Sequence, residues 1–199
     1  MKTINILLSG VGGQGVLLAS RILSEAAMVQ GLDIKQSEVH GMSQRGGSVV
    51  SHVRIGDAVH SPIVPDGQCD ILVGFEPLEG LRHAHHVKAG GVLLHAVDPI
   101  NPSTVSAGFA TYPTDLDEQF ARFACDTIAV PAGELAEQAG NRRSANVVMV
   151  GALSPLLEFG PTVWDHALEA AIPAKLLQLN REAFRLGRHL VCDKHGLAG

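Results

Sequence analysis

Apolar and polar residues succeed one another along the start of the chain in the pattern of strands and helices connected by glycine-rich turns. Residues 3–9 form a short run rich in Ile and Leu, which predicts a buried strand. Glycines follow, and from Val16 to about Gln30 apolar residues recur at helical spacing. Residues 32–39 predict a second strand. This opening predicts a right-handed parallel strand–helix–strand unit whose glycine turn lies at the carboxyl end of the first strand.

Similar patterns continue to the end of the chain. Strands are predicted at residues 48–55, 69–75 and 91–97, with shorter ones ending at Pro62 and spanning residues 107–112 and 127–130. Helices are predicted at residues 77–88, 133–139, 145–159, 162–172 and 174–189. Thr162 and Asp165 resemble a capping box, and Pro173 is expected to separate the last two helices. The final helix carries an apolar stripe of Leu176, Leu179, Ala183, Leu186 and Leu190.

This order of elements predicts the α/β class. We expect a three-layer, Rossmann-like, mostly parallel sheet with a helical C-terminal third, built as one domain over residues 1–199. Aromatic residues make up only 4% of the chain, so the core must consist mainly of Ala, Val, Leu and Ile.

Charge and hydrophobicity narrow the range of partners and locations. The net charge is −5, which argues against nucleic acid or an anionic membrane as the main partner, because both require a basic face. A content of 46% hydrophobic residues excludes a disordered chain. No apolar run approaches the roughly 18 residues of a transmembrane helix, and the apolar N-terminal run is too short for a signal peptide. We therefore expect a cytoplasmic location.

The three cysteines, Cys69, Cys125 and Cys192, are far apart and form no CxxC motif. One chain therefore lacks the four thiolates of a usual iron–sulfur cluster, and a disulfide-rich secreted scaffold is equally excluded. Without activating neighbours in the sequence, these residues are interpreted as thiols of the core or surface.

Two glycine-rich loops are the main candidates for ligand binding. The first, Gly10-Val11-Gly12-Gly13-Gln14-Gly15, lies between the first strand and its helix, where backbone amides and the helix N-terminus favour an anion. A dinucleotide site would also need an acidic residue about 20 positions later, and Glu38 is near that place. The alternative is a turn that needs small residues for steric reasons alone.

The second loop, residues 40–47, is the more distinctive of the two. Arg45 lies between Gln44 and a glycine pair, and its guanidinium is suited to phosphate or carboxylate. Ser43 and Gln44 can donate or accept hydrogen bonds at the same place. The alternative is a surface hairpin with one solvated arginine.

These loops also carry a family resemblance. GVGGQGVLLASRIL at residues 10–23 and SEVHGMSQRGGSVVSHVRIG at residues 37–56 resemble the gamma-type domain of the 2-oxoacid:ferredoxin oxidoreductases, in particular its indolepyruvate branch. The resemblance continues through CDILVGFEPLEGLR, GGVLLHAVDPI and NVVMVGAL and ends at NREAFRLG, so it spans nearly the whole chain. The pairing of GVGGQG with SQRGG at this spacing is much more specific than GxGxxG by itself.

The resemblance implies a subunit of a heteromeric enzyme. A large partner subunit would hold thiamine diphosphate and iron–sulfur clusters, decarboxylate an aryl 2-oxo acid such as indolepyruvate, pass electrons to ferredoxin and transfer the acyl group to coenzyme A. This chain would carry no redox centre and no catalytic residue, and would support the active site and help to bind coenzyme A. The positions that match the family's loops are Gly10, Gly12, Gly13, Gln14, Gly15, Ser43, Gln44, Arg45, Gly46 and Gly47.

Two other functions stay open: a stand-alone dinucleotide-binding protein that uses Glu38, and a scaffold subunit whose loops contact only a partner. An obligate subunit is expected to expose an apolar patch, for which the helices between residues 145 and 172 are candidates.

Several polar residues outside the loops have two interpretations. His83, His85 and His86 are interpreted as a solvated helix face rather than a metal site, and His95 as a structural histidine. Glu76 and Glu79 could face a ligand or stabilise a helix N-terminus. Arg142 and Arg143 are interpreted as an exposed pair in a loop. No metal is predicted.

Overall fold

The protein, described by a computed structural model over residues 2–40 and 46–195, folds around one six-stranded sheet. The strands are β1 (Ile4–Val11), β2 (Asp33–His40), β3 (Ser48–Gly56), β4 (Cys69–Gly74), β5 (Val87–Ala96) and β6 (Asp126–Val130). The helices are α1 (Val16–Val29), α2 (Pro77–His83), α3 (Ser103–Ser106), α4 (Leu116–Phe120), α5 (Ala132–Gln138), α6 (Ala145–Leu153), α7 (Pro161–Ala171) and α8 (Ala174–His195). Short 3₁₀ turns span Ala84–His86, Arg142–Ser144 and Ser154–Leu156.

The strand order is β2-β3-β1-β4-β5-β6. The pairs β1–β4, β4–β5 and β5–β6 are parallel, whereas β3 pairs antiparallel with both β1 and β2. The predicted α/β class with a mostly parallel sheet is confirmed. The first strand–helix–strand unit is modified, because β1 and β2 run in the same direction but β3 lies between them.

Alternation along the strands builds a helical layer on each face of the sheet. Ile6 and Leu8 of β1 belong to a large core that includes residues of α1, α5, α6, α7 and α8. Leu7, between them, points to the other face, where Leu72, Leu93 and Phe120 form a smaller core. Both faces of the central strands are therefore buried, which explains their continuous apolar runs.

Most predicted elements are present, but several of them begin or end at other residues than predicted. The helix predicted to end at residue 88 stops at His83, and β5 begins at Val87. The helix predicted to reach residue 159 ends at Leu153, just before Pro155, which cannot continue the helical hydrogen bonding. The strand predicted to end at Pro62 and the strand predicted at residues 107–112 are wrong, because both segments are turns and irregular backbone.

The predicted capping box is also wrong. The N-cap of α7 is Gly160, with Pro161 in the first turn, and no side chain caps the helix. Pro161 fixes the start of α7 before Thr162, so Thr162 lies inside the helix. Pro173 does separate α7 from α8, as predicted.

The contact between α6 and α8 depends on glycine. A Cβ atom at Gly151 would lie 2.0 Å from the Phe184 carbonyl oxygen, and one at Gly187 would lie 2.0 Å from the Val148 carbonyl oxygen. This close approach selects Ala183, Phe184, Gly187 and similar positions as the buried face of α8. Of the apolar stripe predicted for this helix, only Ala183 is fully buried: Leu176 is 41% exposed, and Leu179, Leu186 and Leu190 are only partly buried.

One of the helices that the sequence offered as an exposed apolar patch, α6, lies in the core. From Asn146 to Leu153 every residue of α6 is buried, because α8 covers the side that faces away from the sheet. Apolar character around the whole helix thus reflects complete burial rather than a partner surface. None of the helices in the described ranges has the length and apolar character needed to cross a membrane.

We expect Gly187→Ala to lower the free energy of unfolding by about 3 kcal/mol, because the new methyl group would overlap backbone atoms of α6. Chemical denaturation of the purified chain measures this change. Gly160→Ala is the matched control: its φ is −66° and nothing lies within 4 Å of the added methyl. It should cost less than about 1 kcal/mol. Equal stability of the two variants would contradict close packing of α6 on α8.

Candidate functional site

The two glycine loops meet at the carboxyl end of β1. The Gly12 amide donates to the Gly47 carbonyl at 2.8 Å, and the Gly46 amide donates to the Gly12 carbonyl at 3.3 Å. These bonds extend the β1–β3 pairing beyond its last pair, Val11 and Ser48. The structure thus joins the predicted first loop to the described part of the second. Ser43, Gln44 and Arg45 lie outside the described residues.

Gln14 connects the first loop to the end of β4. Its Oε1 accepts a hydrogen bond from the Val11 amide, and its Nε2 donates to the Phe75 carbonyl, each at 2.7 Å. Gly10 leaves room for this arrangement, since a Cβ there would lie 3.0 Å from Gln14 Oε1 and 3.1 Å from Phe75 Cβ. The Gln14 side chain therefore fixes the shape of the loop.

Gly13 and Gly15 have positive φ angles of 105° and 80°. A Cβ on Gly15 would lie 2.3 Å from Asn146 Nδ2, the same amide that donates to the Gly15 carbonyl at 3.3 Å. Among the described residues, no acceptor pairs with the backbone amides of Gly13 and Gly15. No side chain caps α1, which begins at Val16. Free amides at the start of a 14-residue helix favour an anion here.

A cleft lies on each side of the first loop. One, of about 440 Å³, is lined by the loop and by Leu17, Glu38 and Val49. The other, of about 470 Å³, lies between the loop, the ends of β5 and β6, and the start of α6, with Asp98, Arg143 and Asn146 in its wall. Both clefts open at the carboxyl ends of strands, where open α/β sheets bind ligands.

Asp98 holds Arg142 in the wall of the second cleft. Its Oδ2 accepts the Gly133 amide at 2.9 Å, and its Oδ1 accepts Arg142 Nη2 at 2.8 Å. Arg142 Nη1 donates to Glu137 at 2.8 Å, and this hydrogen bond together with the charge of Asp98 raises the pKa of the guanidinium. Arg143 makes no ion pair with a described residue.

Arg142 and Arg143 are both exposed, as predicted, but they differ in their contacts. Arg142 is held by carboxylates, and Arg143 lies in the cleft wall as a cation available to a ligand. Sequence reasoning missed Asp98. The signal for it was its position, as an acidic residue directly after the strand predicted at residues 91–97.

Glu76 and Glu79 stabilise the fold rather than face a ligand. Glu76 is 1% exposed; its Oε2 caps α2 by accepting the Glu79 amide at 2.9 Å, and its Oε1 accepts the Tyr112 hydroxyl and the Ile100 amide. Glu79 accepts the Ser48 hydroxyl and pairs with Arg82. Burial and the hydrogen bond to Glu76 raise the pKa of Tyr112. The helix-stabilising interpretation is the one that these contacts support.

The histidines of α2 and of the 3₁₀ turn that follows it lie on the opposite face of the sheet from α1. His83 and His86 stack with ring centroids 5.8 Å apart, and His86 Nδ1 lies 3.0 Å from an Asp66 carboxylate oxygen. Burial, followed by the neighbouring histidines, lowers the pKa of His83 to about 4 and also lowers that of His86. The prediction of a solvated face is wrong for His83 and His86, which are partly buried, and correct for His85, which is exposed. Over the described ranges, no group of three or more His, Cys, Asp or Glu is placed to hold a metal ion.

His95 is a structural histidine, as predicted. It is 4% exposed, stacks on Phe120 with centroids 4.4 Å apart, and contacts the Ala96 carbonyl through Nδ1.

Glu38 lies in the first cleft but is displaced from the position that a dinucleotide site requires. Because β3 separates β2 from β1, Glu38 is two strand spacings, about 10 Å, from the end of β1. In a dinucleotide fold the acidic residue follows the strand directly beside the glycine loop.

Comparisons with known proteins identify the family of this chain. The family described as pyruvate ferredoxin/flavodoxin oxidoreductase matches residues 5–190. The "Indolepyruvate oxidoreductase subunit IorB" of Thermococcus kodakarensis is 42% identical, over 99% of this chain and 100% of the relative.

Solved structures share the same fold. The gamma subunit of a keto/oxoacid ferredoxin oxidoreductase from Geobacter sulfurreducens superimposes with a TM-score of 0.72 at 28% identity, over 96% of this chain and 99% of that one. A 2-oxoglutarate:ferredoxin oxidoreductase from Magnetococcus marinus, solved with 2-oxoglutarate, coenzyme A and succinyl-CoA, gives a TM-score of 0.73 at 20% identity, over 97% of this chain and 32% of that longer chain.

The resemblance seen in the glycine loops thus holds over the whole chain, which belongs to the pyruvate ferredoxin/flavodoxin oxidoreductase family and is a subunit of a 2-oxoacid:ferredoxin oxidoreductase.

Proposed function

We propose that this chain is the small subunit of an indolepyruvate:ferredoxin oxidoreductase, formed as a single gamma-type domain over residues 1–199. The complex would convert an aryl 2-oxo acid, coenzyme A and two oxidised ferredoxins into the acyl-CoA, CO₂, a proton and two reduced ferredoxins. The 42% identity to the indolepyruvate subunit of Thermococcus kodakarensis supports this substrate class. A cytoplasmic location accords with three free cysteines.

The redox centres are assigned to a large partner subunit with thiamine diphosphate and iron–sulfur clusters, which would pass electrons to ferredoxin. The thiols of this chain are poorly suited to cluster ligation, since a ligand must be a thiolate. Cys69 is fully buried, and burial raises its pKa to about 12. Burial also raises the pKa of Cys125.

The role proposed for this chain is to bind and orient coenzyme A. The joined glycine loops carry the argument: they present unpaired amides at the start of α1, beside a cleft that contains Arg143. Phosphates are bound by such amides and by guanidinium groups. The coenzyme A bound in the Magnetococcus marinus enzyme is compatible with this role.

The proposed binding residues divide by function. The amides of Gly13 and Gly15 would donate to phosphate, while Gly10, Gly12 and Gln14 give the first loop its shape. In the second loop, Ser43, Gln44 and Arg45 would add donors and a positive charge, and Gly46 and Gly47 join that loop to the first.

The scaffold interpretation is the second candidate, and it differs in one measurable way. If both loops contact only the partner subunit, loop variants would weaken assembly and leave the KM for coenzyme A unchanged. The dinucleotide alternative predicts that NADH raises the melting temperature of the isolated chain. The displacement of Glu38 by β3 argues against it.

We expect Arg143→Ala to raise the KM for coenzyme A about tenfold in the assembled enzyme, with kcat nearly unchanged, because a charged hydrogen bond to phosphate is lost. Arg45→Ala should act in the same direction. Steady-state kinetics with indolepyruvate and ferredoxin give both constants. Arg185→Ala, on the exposed side of α8 and paired with Glu182, is the matched control. An unchanged KM in both loop and cleft variants would contradict coenzyme A binding by this chain.

Gln14→Glu is expected to raise the KM for coenzyme A several-fold and to lower the free energy of unfolding by about 1–3 kcal/mol. The substitution replaces the donor to the Phe75 carbonyl by an acceptor, so the first loop loses its connection to β4. Denaturation and steady-state kinetics measure the two effects. Gln178→Glu, exposed on α8, should change neither. Wild-type stability of Gln14→Glu would show that these hydrogen bonds do not hold the loop.

A further inference from the structure

A charge-free segment follows β5 at the same edge of the sheet as the glycine loops. Residues 99–114, which we call the neutral loop, contain no Asp, Glu, Lys, Arg or His. The chain as a whole is 18% charged, so a stretch of this length would ordinarily carry about three charges. Charged residues are depleted in the centres of protein interfaces, where they would lose their hydration.

Apolar side chains of the neutral loop are exposed. Phe109 is 86% exposed and Ile100 is 39% exposed, and Val97, just before the loop, is 46% exposed. Single exposed aliphatic residues are common on protein surfaces. A phenylalanine that is almost wholly accessible, within a charge-free segment, is typical of an interaction site instead.

The neutral loop is held in place from beneath. The buried carboxylate of Glu76 accepts the Ile100 amide near the start of the loop and the Tyr112 hydroxyl near its end. Inside the loop, the Phe109 amide donates to the Thr104 carbonyl at 2.8 Å, and the Gly108 amide donates to the Val105 carbonyl at 3.0 Å. Phe109 is therefore presented by a pre-organised turn, which lowers the entropy cost of docking.

The position of the neutral loop relates it to the proposed ligand site. Pro99 and Ile100 line the 470 Å³ cleft together with Gly13 and Arg143. A protein that covered the loop would therefore also border this cleft.

We propose that the neutral loop is the docking surface for the large partner subunit, and that Phe109 enters an apolar pocket of that subunit. This inference rests on the proposed function, which supplies the partner. A charge-free surface with an aromatic anchor fits an apolar protein surface. In the Magnetococcus marinus enzyme the same fold makes up 32% of one longer chain, so this kind of domain is there joined permanently to others.

The test uses the separately purified large subunit with thiamine diphosphate and iron–sulfur clusters, kept anaerobic, and the tagged small chain. Phe109→Asp is expected to weaken their association at least roughly thirtyfold, measured by interferometry or sedimentation. Met28→Asp is the matched control, since Met28 is 54% exposed but lies near the C-terminal end of α1. Phe109→Asp should melt at the wild-type temperature because its side chain is not buried, whereas Met28→Asp should melt slightly lower because a carboxylate near a helix C-terminus opposes the dipole.

Phe109→Trp provides a second measurement that does not depend on weakening the complex. The natural Trp164 is 1% exposed, so an aqueous quencher such as iodide reaches mainly the new indole. Adding the large subunit should shift the emission of the variant to shorter wavelength and reduce its quenching by iodide. Unchanged emission and quenching in the formed complex would overturn the inference.

The remaining outcomes distinguish failure of the docking surface from failure of the proposed function. If the wild-type subunits associate and Phe109→Asp associates equally well, the docking surface is wrong and the proposed function stands. If wild-type subunits do not associate at all, the proposed function fails first. If the isolated chain forms a dimer that Phe109→Asp converts to monomer, the loop binds a second copy, which overturns the assignment to the large subunit.

Discussion

The antiparallel insertion of β3 between β1 and β2 determines the geometry of the sheet edge at which the two glycine loops meet. Because β3 runs opposite to β1, it begins where β1 ends, so the second glycine loop arrives directly beside the first. Two backbone hydrogen bonds between Gly12 and the Gly46–Gly47 pair then join the loops. A parallel neighbour would begin at the opposite edge of the sheet, and the two loops would be separated by the length of a strand.

Polar side chains hold the loops at the same edge in place through hydrogen bonds within the protein. Gln14 connects the first loop to β4, Glu76 caps α2 and holds the neutral loop, and Asp98 holds Arg142 against the start of α5. Each of these groups is a buried or half-buried acceptor or donor whose partners are backbone amides, a backbone carbonyl, a tyrosine hydroxyl or a guanidinium. Their shared effect is a rigid rim, which leaves the amides of Gly13 and Gly15 and the guanidinium of Arg143 accessible for binding.

The division of labour within the enzyme follows from these features. Burial raises the pKa of Cys69 and of Cys125, and the glycine loops offer free amides, so the contribution proposed for this chain is to bind and position a co-substrate. An obligate subunit must also present a surface to its partner, and the burial of α6 under α8 removes α6 as a source of that surface. The neutral loop, uncharged and held from beneath, provides a surface at the edge where both subunits would meet the co-substrate.

The sequence by itself determined the elements with strong local signals. Apolar runs gave β1 and β4, because strands buried on both faces are apolar at most positions, and alternation gave β3. The two glycine loops and their spacing identified the family, because positive φ angles and close side-chain neighbours require glycine at fixed positions of the first loop. Pro173 marked a helix boundary for the equally local reason that proline cannot donate a backbone hydrogen bond.

Tertiary structure decided the features that depend on residues distant in sequence. Strand order placed β3 beside β1 and moved Glu38 away from the first loop, which no periodicity encodes. The buried face of α8 was set by the close approach of Gly151 and Gly187 rather than by its leucines. The pairing of Asp98 with Arg142 joins residues 44 positions apart. Local patterns fix what each segment can form, whereas long-range packing decides which side chains meet and which remain free to bind.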